Sequence, residues 1–76
     1  MPREQLTEIV AEMVANVMSL AVAPGDRVAA GDTVVLLESM KMEIPVISEH
    51  TGTITGVWVS AGDVVQEGDV LVAVAT

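Results

Sequence analysis

The sequence predicts an all-β domain built from two copies of one motif. Three observations carry this. Apolar residues make up 51% of the chain and valine is the most frequent of them, with no Phe or Tyr and a single Trp, a β-branched composition that suits strands. Gly-Asp pairs recur at residues 25–26, 31–32, 62–63 and 68–69, each next to a short apolar run. The segment from Ser19 to Val35 also aligns without a gap on Gly56 to Val72, an offset of 37 residues. Val22, Gly25, Asp26, Val28, Gly31, Asp32 and Val35 recur as Val59, Gly62, Asp63, Val65, Gly68, Asp69 and Val72.

The match extends upstream. Ile9-Val10-Ala11-Glu12 lies over Val46-Ile47-Ser48-Glu49, and Val17 over Ile54. Glu4, Glu8 and Glu12 are spaced as on a helix, but the twin of that region contains Pro45, Gly52 and several β-branched residues. A copy is not helical when its twin cannot be, so strands are expected there too. Val17, Leu20 and Val22 match Ile54, Val57 and Val59, and a strict period of two cannot bury all three. A bulge near Ser19 and Gly56 restores the alternation. It turns Trp58 away from the core, to lie over its rim or, alternatively, to contact a partner; Ala21 is the twin, so the fold itself asks for no large side chain there.

Pro24-Gly25 and Ala61-Gly62 suit the centre of type II turns, where Gly supplies the positive φ. Asp26, Asp32, Asp63 and Asp69 are placed to accept from nearby backbone N–H groups. They recur one per turn and do not converge as metal ligands would, so no metal site is expected.

Seventy-six residues allow one domain, 1–76, with a modest core. There is no cysteine and hence no thiolate chemistry. Eleven acidic against three basic residues give a net charge of -8, which repels nucleic acid and anionic membranes. No run approaches the roughly 18 apolar residues of a membrane span. The opening Met1-Pro2-Arg3-Glu4-Gln5 does not read as a signal peptide, and a cytoplasmic location is expected. His50 is the one histidine and reads as a loop residue without triad partners, so catalysis by the chain itself is not expected.

Between the two copies lies Glu38-Ser39-Met40-Lys41-Met42-Glu43, flanked by the apolar runs 34–37 and 44–47. Together these runs are too long for one ordinary strand, yet no Gly, Asn or Asp marks a turn between them. Subtracting 37 from Lys41 gives Glu4; adding 37 passes the end of the chain. Under a pseudo-twofold axis, the join at 39–42 and the chain ends then lie at opposite ends of the molecule. Lys41, the sole lysine, is placed at an exposed hairpin tip. Met-Lys is poor chemistry for a two-residue turn that needs positive φ. A local rule broken at an exposed point marks a functional demand.

These residues resemble the biotinyl/lipoyl attachment domains. Met40-Lys41-Met42 matches the Ala/Ser-Met-Lys-Met motif of biotin carriers, whereas lipoyl carriers usually have Asp before the Lys. The stretch from Leu36 to Val46 is similar to that of the small free-standing biotinylated proteins of actinobacteria. The resemblance covers about residues 8 to 75. It departs where Ala11-Glu12-Met13-Val14-Ala15 replaces the family's common Ala-Pro-Met-Pro-Gly, and where Ser48-Glu49 replaces Ala-Pro. No insertion separates Gly25-Asp26 from Gly31-Asp32, so the form is the thumbless one.

The resemblance implies a flattened barrel, or sandwich, of two four-stranded antiparallel sheets with a pseudo-twofold axis. It implies that a biotin protein ligase activates biotin as its adenylate and that the Lys41 amine attacks it to form an amide. Glu38, Ser39, Met40 and Met42 form the motif flanking that acceptor. Biotin then takes carboxylate at a ureido nitrogen in a biotin carboxylase and releases it in a carboxyltransferase of an acyl-CoA or pyruvate carboxylase-type system. The alternative is a lipoyl carrier of an oxoacid dehydrogenase-type complex. An unmodified binding module, with Lys41 a free amine, is the third reading.

Overall fold

Four Gly-Asp turns make four of the seven breaks that divide the described chain into eight strands. The computed structural model describes residues 5–76. The strands are β1 (Leu6–Val10), β2 (Ala15–Leu20), β3 (Arg27–Val28), β4 (Thr33–Ser39), β5 (Met42–Ile47), β6 (Gly52–Val57), β7 (Val64–Val65) and β8 (Val70–Ala75). Residues 6–10 and 15–18 are strand, with a bend at Glu12-Met13 between them, so the segment is not helical, as the twin argument requires, and no helix interrupts the described chain.

The strands form two four-stranded antiparallel sheets, ordered β1-β8-β6-β3 and β5-β4-β2-β7. Shifting every strand to its twin, β1 to β5, β8 to β4, β6 to β2 and β3 to β7, turns the first order into the second. Each sheet therefore draws two strands from each copy, and neither copy closes a core alone. Backbone bonds lock the copies together in twin pairs. Gly25 N–H donates to Ile54 O at 2.7 Å, as Gly62 N–H donates to Val17 O at 2.8 Å. Gly31 N–H reaches Ser48 O at 2.7 Å, as Gly68 N–H reaches Ala11 O at 2.8 Å. The segments that depart from the family's usual sequence thus make the same strand-entry contacts. Ala11 and Ser48 are both buried, and Ser48 Oγ is satisfied by donating to His50 O at 2.6 Å.

Register shifts occur between Val17 and Ser19 in β2 and between Ile54 and Gly56 in β6. The bulge is centred on Met18 and Thr55, one residue before the expected positions. Val17 and Ile54 are buried in consequence, and Leu20, Val22 and Val57 pack against the core. Leu37, Val34, Val35, Leu71, Val72 and Val74 from the two central strands β4 and β8 fill the space between the sheets. Pro45 stands on β5, an edge strand, where its missing N–H leaves no gap in the sheet interior.

All four Gly-Asp turns share one geometry. Gly25, Gly31, Gly62 and Gly68 have φ between 92° and 98°, and each following Asp N–H donates back to residue i at 3.0 Å. The Asp carboxylates accept from the backbone N–H three residues earlier, Asp26 from Ala23, Asp32 from Ala29, Asp63 from Ser60 and Asp69 from Gln66, at 2.8–2.9 Å. Residue i+1 tolerates Pro, Ala or Glu because its φ is ordinary; only Gly meets the i+2 position without strain. The second turn of each copy is thus of the same type as the first, a point the sequence reading left open.

Candidate functional site

β4 and β5 form a hairpin with Ser39 opposite Met42, so its loop is the dipeptide Met40-Lys41. Both loop residues adopt positive φ, 53° and 64°, and they are the only non-Gly residues to do so among those described. The turn is the two-residue form that normally selects Asn-Gly. A left-handed conformation costs roughly 1–2 kcal/mol per non-Gly residue, so the tip holds strain that the rest of the hairpin offsets. The six-rung β4–β5 ladder, reaching down to Thr33–Ile47, supplies that offset.

The tip stands at the opposite end from Gln5 and Thr76. Gln5 and Thr76 exchange backbone bonds at 3.2 and 2.9 Å beside the Leu6–Ala75 rung, and they are the twins of Met42 and Ser39. From that end β1 leads to Ala15 and Asn16, and Asn16 pairs with Glu38 just below the tip. From the tip β5 leads back to Gly52 and Thr53, beside Ala75. The molecule is elongated, 45 × 19 × 17 Å.

Lys41 is exposed, and Met40 and Met42 are 92% and 64% exposed. Met40 and Met42 therefore do not close the barrel as core residues. Ser39 is half-buried at the last rung of the ladder. Glu38 and Glu43 face each other one rung below. All five motif residues are thus gathered on one hairpin end, with an unobstructed primary amine at its apex. Such an amine can be acylated by a partner enzyme that reaches over the tip.

Two exposed apolar residues at the tip end of the second sheet, outside the hairpin, were not singled out in the sequence. Val64 pairs with Asn16, in the same row as Glu38 and Glu43, and Val14 immediately precedes Ala15, the partner of Val65. Their signal was available in the repeat, where their twins are the polar Arg27 and Thr51.

Elsewhere the molecule offers little chemistry. A cleft between the edge strands β1 and β5 has an apolar floor of Ile9, Ile44 and Val46, with His50 exposed on its rim. Among the described residues, no three His, Asp or Glu side chains gather to hold a metal ion. Trp58 is 59% exposed, and its ring folds over Gly56 on the outer face of the first sheet, a rim position.

The family model described as "Biotin-requiring enzyme" matches residues 5–74. The chain is 47% identical over 68 residues to the biotinylated protein TB7.3 homolog of Mycobacterium leprae, covering 90% of this chain and 96% of that one. Among solved structures, it superposes on a single-chain, multi-domain long-chain acyl-CoA carboxylase with a TM-score of 0.86 and 28% identity, covering 93% of this chain and 7% of that one. It also superposes on the lipoyl domain of the 2-oxoglutarate dehydrogenase complex from Azotobacter vinelandii, with a TM-score of 0.69, 27% identity and coverage of 83% and 78%.

Proposed function

The chain belongs to the biotin-requiring family of attachment domains, and we propose that Lys41 is the residue through which it carries the cofactor. The observation that carries this reading is the turn itself: the sole lysine occupies a strained, left-handed position at the apex of an exposed hairpin. Nothing in the packing calls for Met40 or Lys41 there. Presentation of the amine does.

The chain is a biotin carboxyl carrier domain and not a catalyst. In the proposed cycle a biotin protein ligase supplies biotin as its adenylate. Lys41 Nζ attacks the activated carbonyl, the C–O bond to AMP breaks, and Nζ loses a proton as the amide forms. Once attached, biotin supplies a ureido nitrogen that takes up and releases carboxylate. The protein's own part is to hold the arm at one end of a rigid barrel. A biotin carboxylase and a carboxyltransferase then each meet it at high effective concentration. We propose a cytoplasmic location for this work.

The lipoyl reading has the shared fold in its favour. Against it stands Met40, where lipoyl carriers resemble one another in having Asp before the lysine. Intact mass after expression with an active biotin ligase tests the proposal. One biotinyl group on the protein, mapped to the peptide containing Lys41, is expected. A lipoyl adduct, or an unmodified chain at saturating biotin and ligase, contradicts it.

A further inference from the structure

Each copy of the repeat forms a shallow surface cradle around its pair of Gly-Asp turns, and the two cradles are twins. Val59, Asp63, Val65 and Asp69 of the second are matched identically by Val22, Asp26, Val28 and Asp32 of the first. The remaining positions differ. The first cradle has Ala21, Arg27 and Thr33 where the second has Trp58, Val64 and Val70. Copy one thus supplies a guanidinium of its own to a cradle with two aspartates. Copy two keeps the aspartates, omits the cation and adds an indole.

The second cradle is open to contact. Trp58 and Val64 are 59% and 66% exposed, and Asp63 and Asp69 are exposed beside them. Each carboxylate accepts a backbone N–H through Oδ2, at 2.8 and 2.9 Å, which leaves its Oδ1 for a donor from outside. The strand is also cut back to seat the indole. A Cβ at position 56 would collide with the ring, and glycine stands there where the first copy has Ser19. Two positions therefore change together to hold a large apolar side chain that stays mostly in water, where it gains little from burial.

We propose that the second cradle docks an arginine from an exposed segment of a partner protein. The guanidinium stacks on Trp58, Asp63 and Asp69 accept its N–H groups, and an apolar neighbour in the partner covers Val64. A cation is selected because the indole face and both carboxylates attract positive charge. Arginine suits the cradle better than lysine, since its flat fork stacks on a ring and bonds carboxylates at once. Arg27 is the internal precedent, standing in the twin cradle at the place of Val64. Exposed carboxylates alone hold a cation weakly, so the indole is the decisive wall. The docking needs neither Lys41 nor biotin.

Amide NMR spectra of the full chain test this during titration with a capped Gly-Arg-Val-Gly peptide. A second peptide carries citrulline, the uncharged isostere, in place of arginine. The amides of residues 58–70 are expected to shift saturably with the arginine peptide, while those of the twin segment 21–33 stay in place. The citrulline peptide is expected to bind at least about tenfold more weakly. Trp58→Ala installs the twin's own residue, and Val64→Arg fills the cradle with the twin's own cation. Both variants are expected to unfold like the wild type, because copy one already holds Ala and Arg in that backbone, and to lose at least about tenfold in affinity. Binding should weaken with added salt. The proposal is overturned by the absence of saturable shifts, by equal binding of the two peptides, or by undiminished binding in either folded variant. Equal shifts in the twin segment overturn it too. Shifts at 58–70 on concentrating the protein alone assign the cradle to a second copy of this chain instead and equally overturn it.

Discussion

Glu38 on β4 and Glu43 on β5 stand directly opposite each other, one rung below the pair Ser39–Met42 that closes the hairpin. Two carboxylates facing across antiparallel strands repel, and such pairs cost about 0.2–1 kcal/mol relative to neutral ones. The hairpin that must hold Met40 and Lys41 at positive φ is therefore weakened by its own charges. Glu43→Gln is expected to raise stability by roughly that amount, seen as a higher urea midpoint at unchanged m. The gain should shrink as added salt shortens the screening length from about 30 Å at 0.01 M to about 3 Å at 1 M. A loss of stability in the variant would mean that Glu43 makes a favourable contact outweighing the repulsion.

Lys41→Arg tests the acceptor. A guanidinium has nearly the same reach but stays protonated and does not take an acyl group. The variant is expected to fold as the wild type does, since position 41 is exposed and its φ is no worse for Arg than for Lys. It should give no signal on a streptavidin blot, and no second lysine exists to supply one. In the wild type, conversion of the ammonium to an amide removes one positive charge, taking the formal net charge from -8 to -9. The holo protein should then run faster toward the anode on a native gel than the apo protein of verified mass.

Much of this architecture was readable because the chain states its pattern twice. The strained spacing of Val17, Leu20 and Val22 meant little alone; its recurrence at Ile54, Val57 and Val59 identified a bulge, which lies at Met18 and Thr55. The Gly-Asp turns were legible because only Gly meets the φ near 95° that a type II turn demands. The tip was legible from the absence of any turn residue between two apolar runs. Pairings between residues distant in the chain were not. Nothing local in Ala15 and Val65 announces that they are neighbours, yet that rung sets β7 beside β2 and puts Val64 in the row of Asn16 and Glu38. The Trp58 ring lies over Gly56, its neighbour two residues back, a side-chain placement that hydrophobic spacing does not encode.

The twin turns offer a quantitative check on the pseudo-symmetry. Asp26 accepts from Ala23 N–H at 2.9 Å and Asp63 from Ser60 N–H at 2.8 Å, and each backbone segment binds the other copy through the same two bonds. Asp26→Ala and Asp63→Ala are each expected to cost about 1–2 kcal/mol, typical of a lost charge-assisted hydrogen bond near the surface. The two losses should agree within about 0.5 kcal/mol, and the double variant should be additive to the same tolerance, as for separate sites. Denaturant unfolding of the three variants measures this.

Gly56 is the twin of Ser19, so its backbone accepts a side chain, but a Cβ there would collide with the Trp58 ring. Gly56→Ala is therefore expected to lift the indole off the sheet and leave the strand pairing in place. Trp58 is the only tryptophan, so the protein's emission reports its surroundings alone. A red shift with little change in the unfolding midpoint is the expected result. An unshifted spectrum would show that the ring is not held over Gly56 in solution.

The flanking methionines separate folding from function. Met40 sits at φ 53° with its side chain almost wholly in solvent, so it contributes strain and little burial. Asn tolerates the left-handed region, and Met40→Asn should relieve part of that strain, stabilising the protein by on the order of 1 kcal/mol. For a domain of this size that corresponds to a rise in Tm of about 4–8 °C. Met42→Ala removes a side chain that is 64% exposed and should cost well under the roughly 2–5 kcal/mol of a buried Met truncation. Biotin attachment is expected to survive Met42→Ala, because the ligase needs an accessible amine on a correctly placed hairpin. Carboxyl transfer per folded, biotinylated molecule should fall more than attachment does, on the proposal that the exposed Met42 side chain meets the carboxylase partners. Thermal unfolding, biotin incorporation and transfer rate, measured on the same preparations, decide the matter. A large loss of stability in Met40→Asn and Met42→Ala, with transfer unchanged, would assign the methionines to the fold and leave Lys41 as the only functional residue of the tip.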